Sequence, residues 1–319
     1  MTLLAGLMPE LWRAVRVHIP GSFVEGAIRR FGDAGRAWAA ELPSIVEGRL
    51  QAWHLVDCRP IENLSINYLC FCTSPQHGQV VLKVQGPHEE RYTEIEALQL
   101  FRGRHCCRIL AMDLPSASML LERANPGSRL RDLPDRAEQL SIGARMVRDL
   151  PLRTSVPNRL PTYVQWLDAA GVMLERRAAP SGLRDLLADA RRQYDRLLIP
   201  GEQPAVMHGD LHHDNILRDG DRWMVIDPQG VAGPAVLEAG RFIENHAVVD
   251  FRWVDWQELQ QTTHCVASVL EEPYARVLQA LSVLHVLSLC WDWEMHAEAG
   301  KLEPGERQCR EILRVAGGL

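Results

Sequence analysis

The segment from His208 to Asp227 constrains this chain more than any other. It reads His208-Gly209-Asp210-Leu211-His212-His213-Asp214-Asn215-Ile216-Leu217 and closes on Val225-Ile226-Asp227. Ile216-Leu217-Arg218, a tight turn at Asp219-Gly220 and the return Trp223-Met224-Val225-Ile226 predict a hairpin that folds Asp227 back beside Asn215. Pro228 has no N–H and stops further pairing, which leaves the Asp227 carboxylate at a strand end, where ligands sit. A hydroxyl needs a carboxylate within hydrogen-bond reach to take its proton, and Mg²⁺ wants hard oxygen ligands while keeping some waters. Asp210, Asn215 and Asp227 supply both kinds of oxygen, which is the equipment of phosphoryl transfer: Asp210 for the hydroxyl proton, Asn215 and Asp227 for the metal. Asp and Asn are also ordinary turn residues, so the pattern needs a second support.

Lysine usage provides it. Of 35 basic residues only Lys83 and Lys301 are lysines. Lys83 lies in Val80-Val81-Leu82-Lys83-Val84, an apolar run ended by Gly86-Pro87 that reads as a buried strand. A buried ammonium needs an anionic partner. Nucleotide phosphates would serve, with an acidic side chain holding the lysine in place; the plain alternative is a lysine snorkelling from an edge strand. The next helix, from about residue 88 to 101, offers Glu94 and Glu96. Tyr92, Ile95 and Leu98 mark its apolar face and Glu94 flanks that face, so Glu94 is the expected partner.

Lys83 on a strand, Glu94 on the following helix, His208-Gly209-Asp210 through Asn215, and Ile226-Asp227 together resemble the aminoglycoside phosphotransferase family of small-molecule kinases. Leu211-His212-His213-Asp214-Asn215 and the run from Ile226 to Pro234 most resemble its streptomycin 6-kinase and hydroxyurea kinase branch, over roughly residues 60 to 295. The resemblance implies an α+β, bilobal protein-kinase-like fold with a small antiparallel-sheet lobe, a hinge and a larger, mainly helical lobe. It implies ATP and Mg²⁺ in the cleft, a structural His208 that braces the loop, and adenine read by main-chain groups from Glu122 to Ala124. The domains expected are 1–123, with a helical extension over 1–50 and a nucleotide-binding part over 51–123, and 124–319, with the catalytic loop and acceptor site.

Departures from the kinase pattern shape the expectation. A glycine-rich phosphate loop is missing; Glu62-Asn63-Leu64-Ser65-Ile66-Asn67-Tyr68 precedes the strand Leu69-Cys70-Phe71-Cys72 instead. Ser65 and Asn67 either donate to phosphates from this turn or are plain turn residues. Gly209 stands where protein kinases carry an arginine. About ten residues separate Asp227 from Glu238, too few for a long regulated segment, so the acceptor is a small molecule and not a protein.

Charge bears on that acceptor. Residues 201–319 carry 9 basic and 19 acidic side chains, whereas residues 1–200 carry 26 and 22. An acidic second part suits a cationic acceptor and argues against nucleic acid, although a solvated acidic surface gives the same count. Glu238 either orients the catalytic loop or is a plain helix N-terminal glutamate. Trp291-Asp292-Trp293-Glu294 sets aromatics beside carboxylates, a combination that stacks on and pairs with a guanidinium-bearing sugar, or else belongs to the core. Glu244, His246 and Asp250 are weaker acceptor candidates. The start Met1-Thr2-Leu3-Leu4-Ala5-Gly6-Leu7 lacks a basic region with a long apolar core, and no apolar run reaches membrane-spanning length. Eight cysteines show no Cys-x₂-Cys pairs and read as buried thiols. A cytoplasmic monomer without membrane or nucleic-acid partners is expected.

Read coarsely, helices occupy the first 50 residues, strands lie over about 52–84, and Met119-Leu120-Leu121-Glu122 is a strand running into the Asn125-Pro126-Gly127 turn, the expected hinge. Helices follow near 134–150, 160–178, 182–198, 235–247, 255–270 and 273–296. Two other functions compete with the aminoglycoside- or hydroxyurea-directed kinase. One is a kinase of an unrelated hydroxyl metabolite. The other is a two-metal phosphohydrolase built on His208, Asp210, His212, His213, Asp214 and Asp227, which leaves Lys83 without a purpose. A non-catalytic nucleotide binder is a third reading, disfavoured by the complete Asp210, Asn215 and Asp227 set.

Overall fold

The structure, a computed structural model, describes residues 18–88, 91–250, 253–296 and 299–317. The Met1-to-Leu7 stretch and the side chain of Asp250 lie outside the described residues. The chain divides into two compact units: residues up to Gly103 with Cys107–Arg123, and Arg104–Cys106 with the chain from Ala124 onward.

The first unit is a sheet covered by a long helix. Helix α1 (Gly21–Ala52) breaks its regular geometry at Gly32, whose φ of 58° and ψ of −129° are open to glycine and kink the helix. Beyond the kink Trp38, Leu42, Val46 and Leu50 recur every fourth residue and join Val80, Leu82 and Leu120 of the sheet in one core. Strands β1 (Val56–Pro60), β2 (Tyr68–Ser74), β3 (Gly78–Val84), β4 (Ile109–Asp113) and β5 (Ser118–Glu122) pair antiparallel in the order β1-β2-β3-β5-β4. In the central strand β3, Val80, Leu82 and Val84 alternate into the core, and Lys83 between them is also buried, in register with Leu69 and Met119. Helix α2 (Arg91–Phe101) buries Glu94, Ile95, Leu98 and Phe101 on one face.

The second unit is mainly helical and, among the described residues, holds two three-stranded sheets besides an antiparallel pair of Val248–Asp250 with Trp253–Val254. The strands of the two sheets are β6 (Pro126–Arg129), β7 (Leu152–Arg153), β8 (Ala205–Met207), β9 (Ile216–Asp219), β10 (Arg222–Val225) and β11 (Val231–Gly233), in the orders β10-β9-β6 and β11-β8-β7. Helices α3 (Arg136–Asp149), α4 (Tyr163–Arg176), α5 (Ser181–Leu197), α6 (Glu238–Ala247), α7 (Trp256–Leu270), α8 (Tyr274–His296) and α9 (Ala299–Gly317) surround them. Their starts are locally encoded: Asp135 accepts from the Ala137 and Glu138 N–H groups, Thr162 and Gln165 form a capping box, and Asp255 caps α7. Helix α8 is apolar over most of its length, with buried polar exceptions that include Arg276, His285 and Ser288. Among the described residues Tyr274–Met295 alone is long and apolar enough to cross a membrane, contrary to the expectation that no such run exists; 78% of its most apolar window is buried inside the protein, as in a core helix.

Most helices fall where the hydrophobic period puts them, and the differences lie in short or polar elements. Strand β4 was not anticipated, nor were β8 and β11, whose three residues each are too few for a period to show. The Asn125-Pro126-Gly127 segment is no free turn: Pro126–Arg129 pairs with β9 as an edge strand, where a proline is tolerated. Helix α9 was missed because Pro304-Gly305 reads as a break. In the β9-β10 hairpin Asp219 pairs with Arg222, so the turn is Gly220-Asp221 and not Asp219-Gly220; Gly220 takes the positive φ, at 58°.

Gly143 of α3 tests the packing behind the site. A Cβ at this position would overlap the Phe242 ring of α6. Gly143→Ala gains about 1 kcal/mol in helix propensity but overpacks a buried contact at about 1–3 kcal/mol. A net fall in the urea midpoint is expected, and a rise would show that α6 has room to shift.

Candidate active site

Two strand pairs fix where the loops go. Met207 pairs with Val231, and Ile216 pairs with Val225. The loop from His208 to Asn215 and the segment from Ile226 to Gly230 therefore leave and rejoin the sheets at neighbouring points, and the two must run side by side. Their backbones are tied together. Ile226 N–H donates to Asn215 O at 3.0 Å, and Gln229 and Gly230 N–H donate to His208 O at 2.9 and 3.1 Å. His208 Nε2–H donates to Ile226 O at 2.8 Å while its Nδ1 accepts from Asp210 N–H at 3.2 Å. This fixes one neutral tautomer, and complete burial holds the ring's pKa down at about 4.

Glu238, the first residue of α6, holds the loop from beneath. Its carboxylate is wholly buried and accepts from His208 N–H at 2.6 Å and Gly209 N–H at 3.2 Å. Burial raises this carboxyl to about 7 against the pull of those two donors. Gly209 adopts a φ of 80°, and a Cβ there would crowd Val231 and Trp166, so the turn admits glycine and not the arginine of protein kinases.

The turn presents Asp210. Its Oδ1 accepts from Arg241 Nε at 2.8 Å, and its Oδ2 lies 3.5 Å from His212 Nε2. Burial would raise this carboxyl, but His212 and Arg241 outweigh it and hold the pKa below the usual carboxylate range. The Asn215 amide nitrogen donates to Asp210 O at 3.0 Å, so its Oδ1 is the atom that could hold a metal. Asp227 is exposed two residues beyond β10 with a φ of 66°, a left-handed conformation that is uncommon for a residue other than glycine and recurs where a site demands it. An amide oxygen and a carboxylate are hard donors of the kind Mg²⁺ takes, and the Ile226 N–H bond to Asn215 O holds the two segments that carry them together.

In the first unit, Lys83 is 1% exposed and its Nζ lies 2.7 Å from both Glu94 oxygens. Gln85 Nε2 donates to the same carboxylate. Glu94 and not Glu96 is therefore the partner. Asn67 is buried, and its Oδ1 accepts from Gly86 N–H at 2.9 Å and faces His88 Nε2 at 3.2 Å, so this oxygen ties the turn to the end of β3; Ser65 is exposed. Glu122 N–H donates to Arg108 O at 2.9 Å, so that group does not read an adenine, and its carboxylate pairs with the Arg108 side chain at 3.2 Å. Ala124 is buried.

Several acceptor candidates prove to be internal. Glu238 takes the loop-orienting alternative, as its two oxygens face backbone N–H groups. Glu244 is 7% exposed and is held by Arg241 at 2.9 Å, Ser288 at 2.8 Å and His285 at 2.8 Å, so it does not face an acceptor either. His246 is buried against His213, whose Nε2 lies 2.9 Å from His246 Nδ1. Trp291 and Asp292 are partly exposed. The Trp291 ring meets Trp166 edge-on at 5.6 Å, and Trp166 in turn borders Gly209. The sequence reading missed Arg241 and Trp166. Arg241 could have been found as the one base three residues from each of Glu238 and Glu244; for Trp166 no sequence signal existed.

The two-metal alternative fails on its histidines. Both ring nitrogens of His208 are hydrogen bonded, as are those of His213, to Asn245 Oδ1 at 3.0 Å and to His246. Asp214 is held by Arg131 at 2.9 Å. Among the described residues no group of three or more His, Cys, Asp or Glu is arranged to hold a metal ion.

Known proteins place this arrangement in a class and then in a family. Solved structures of the same fold include a choline kinase from Streptococcus pneumoniae (TM-score 0.62, 12% identity, covering 88% of this chain and 100% of that one). They also include an aminoglycoside phosphotransferase in complex with ADP and hygromycin B (TM-score 0.58, 12% identity, covering 86% and 99%). The fold is α+β and protein-kinase-like, with an antiparallel-sheet unit and a mainly helical unit. A family model described as an aminoglycoside/hydroxyurea antibiotic resistance kinase matches residues 53–295. A streptomycin 6-kinase from Streptomyces glaucescens is 32% identical over 248 residues, covering 75% of this chain and 76% of its own. A hydroxyurea phosphotransferase from Kitasatospora aureofaciens is 33% identical over 233 residues, covering 70% and 66%. The chain belongs to the aminoglycoside/hydroxyurea antibiotic resistance kinase family and is a phosphotransferase.

Buried histidines around the site set an expected pH dependence of stability. Burial lowers His208 and His246 to about 4 from 6.5, so their contribution is complete above pH 6.5 and is lost as pH falls towards 4. For His285, burial pulls the pKa down, but Cys309 and Glu244 outweigh it and raise it to about 10; its contribution is complete below pH 6.5 and is lost as pH rises towards 10. The urea midpoint should peak near pH 6.5 and fall on both sides. A midpoint that climbs steadily to pH 10 would contradict the cationic His285.

Proposed function

We propose that this phosphotransferase moves the γ-phosphoryl group of ATP, with Mg²⁺, to a hydroxyl of a streptomycin-like aminoglycoside or of a hydroxyurea-like acceptor. The observation that carries the reading is Asp210, its pKa held low and one oxygen anchored by Arg241, on a loop whose Asn215 bonds Asp210 O and is tied by its own carbonyl to the segment that leads to Asp227. The streptomycin 6-kinase and hydroxyurea phosphotransferase among its relatives support the acceptor class.

Asp210 Oδ2 accepts the hydrogen bond of the acceptor hydroxyl. As the acceptor oxygen bonds to the γ-phosphorus and the bond from that phosphorus to the departing ADP breaks, the hydroxyl proton passes to this carboxylate. A carboxylate held at low pKa is a weak base, so its main work is to orient the hydroxyl in line and to take the proton late. Asn215 Oδ1 and Asp227 would hold Mg²⁺, which when bound offsets charge on the phosphates. Lys83, fixed by Glu94, holds the α- and β-phosphates, and Ser65 donates to them from the turn that Asn67 secures. Main-chain groups at Arg123 and Ala124 read the adenine. Trp291, with Trp166 beside it, offers an aromatic face and Asp292 a carboxylate to a cationic acceptor.

Asp210→Ala should lower transfer by a factor on the order of 10²–10⁴ while nucleotide affinity stays within a few-fold. The measurement is acceptor-dependent ATP consumption with streptomycin, other aminoglycosides and hydroxyurea, together with nucleotide titration of both proteins. Turnover near wild type in the variant would remove Asp210 from its role. Absence of turnover with every aminoglycoside and with hydroxyurea would move the acceptor to another hydroxyl metabolite.

A further inference from the structure

Arg241 holds one oxygen of Asp210, and what holds Arg241 lies deeper. Arg241 Nη1 donates to Glu244 Oε2 at 2.9 Å, and Ser288 Oγ donates to the same oxygen at 2.8 Å. Glu244 Oε1 accepts from His285 Nδ1 at 2.8 Å, and His285 Nε2 faces Gln308 Oε1 at 3.1 Å. With Gln308 Oε1 turned to the imidazole both facing atoms are oxygens, an arrangement that suits two donating ring nitrogens and an imidazolium; the Gln308 Nε2 on the other side is buried without a hydrogen-bond partner. From α8 to the loop the charges alternate: imidazolium, carboxylate, guanidinium, carboxylate. His285 is 0% exposed, Glu244 and Ser288 are 7% exposed, and Gln308 and Cys309 of α9 close the far side.

Stability does not call for such a chain. Its neighbours along α8, Val286, Leu287 and Leu289, are buried apolar residues, and a buried ionic chain is seldom more stabilising than apolar packing of the same volume. What the chain does achieve is geometric. Without Glu244 the guanidinium could turn about its long side chain; with it, one face is fixed on Glu244 and Ser288 and the Nε edge is fixed on Asp210 Oδ1.

We infer that Glu244, His285 and Ser288 are positioning residues for phosphoryl transfer, locking Arg241 on Asp210 Oδ1 so that Oδ2 alone is presented to the acceptor hydroxyl. The inference rests on the reading of Asp210 as the group that receives that hydroxyl. It also gives α8 two tasks, since Ser288 lies one turn before Trp291 and Asp292, the proposed acceptor contacts. An acceptor docked on that turn would press on the same helix that orients the base.

Glu244→Gln keeps the shape and removes the charge. With streptomycin or hydroxyurea as acceptor, whichever the wild type turns over, kcat should fall about 10- to 100-fold while KM for ATP stays within about twofold. Ser288→Ala removes the hydrogen bond to the same carboxylate and the one that Ser288 Oγ accepts from Arg241 Nη1 at 3.2 Å, and should lower kcat by about 3- to 10-fold at unchanged KM; it carries the kinetic test if Glu244→Gln does not fold. Wild-type kcat in a folded Glu244→Gln protein, or in Ser288→Ala where that variant carries the test, overturns the inference, as does a change in KM alone. A second reading is independent of turnover. Nitrogen-15 imidazole shifts at pH 8.5, assigned through His285→Gln, should show His285 carrying two protons in the wild type; a neutral ring overturns the inference. Absence of turnover with either acceptor, alongside a doubly protonated His285, would refute the proposed acceptor and leave the charge chain standing.

Discussion

The site depends on one buried carboxylate. Glu238 sits at the N-terminus of α6, where the helix dipole favours negative charge, and it receives two consecutive backbone N–H groups from His208 and Gly209. Those N–H groups belong to a turn with a left-handed glycine, and the Glu238 carboxylate is what they donate to. A buried donor without a partner costs about 1–3 kcal/mol, so the carboxylate and the turn require each other. Once the turn is fixed, His208 reaches Ile226 O, and the Asp227 segment is bound to the loop that carries Asp210.

In each unit buried charge is arranged in alternating order. Lys83 and Glu94 form a pair in one unit; Asp210, Arg241, Glu244 and His285 form a chain in the other. Each arrangement leaves little net charge in the interior, which is the condition for keeping ions there. Each also confines a long side chain that would otherwise sample many rotamers, and phosphoryl transfer depends chiefly on positioning and preorganised charge.

Much of this was legible in the residues. The hairpin after Asn215 follows from alternating strands about a glycine turn, and the short distance in sequence from Asn215 to Asp227 becomes a short distance in space through nothing more than that hairpin. Lys83 was legible because an ammonium in an apolar strand must be paired, and Glu94 followed from the face of the next helix. The most evident acceptor candidates were less secure. A glutamate in a helix reads the same whether it faces a substrate or another helix, and Glu238 and Glu244 both turned inward. Arg241 carried no such ambiguity of chemistry; among so many arginines only its spacing of three residues from both Glu238 and Glu244 singles it out.

By itself the sequence determined the local chemistry: which segments alternate and which recur at helical spacing, where glycine must take a positive φ, and that an Asp, an Asn and a second Asp would share one corner of the fold. These are properties of neighbours along the chain, set by backbone geometry and by the exclusion of apolar side chains from water. Tertiary structure decided the partners. That Asp210 meets Arg241, that Glu244 meets His285 across two helices, and that Trp166 borders Gly209 depend on contacts between residues 31, 41 and 43 positions apart in the chain. Such contacts follow from how whole helices pack, and helix packing is a sum over many side chains that no local pattern contains.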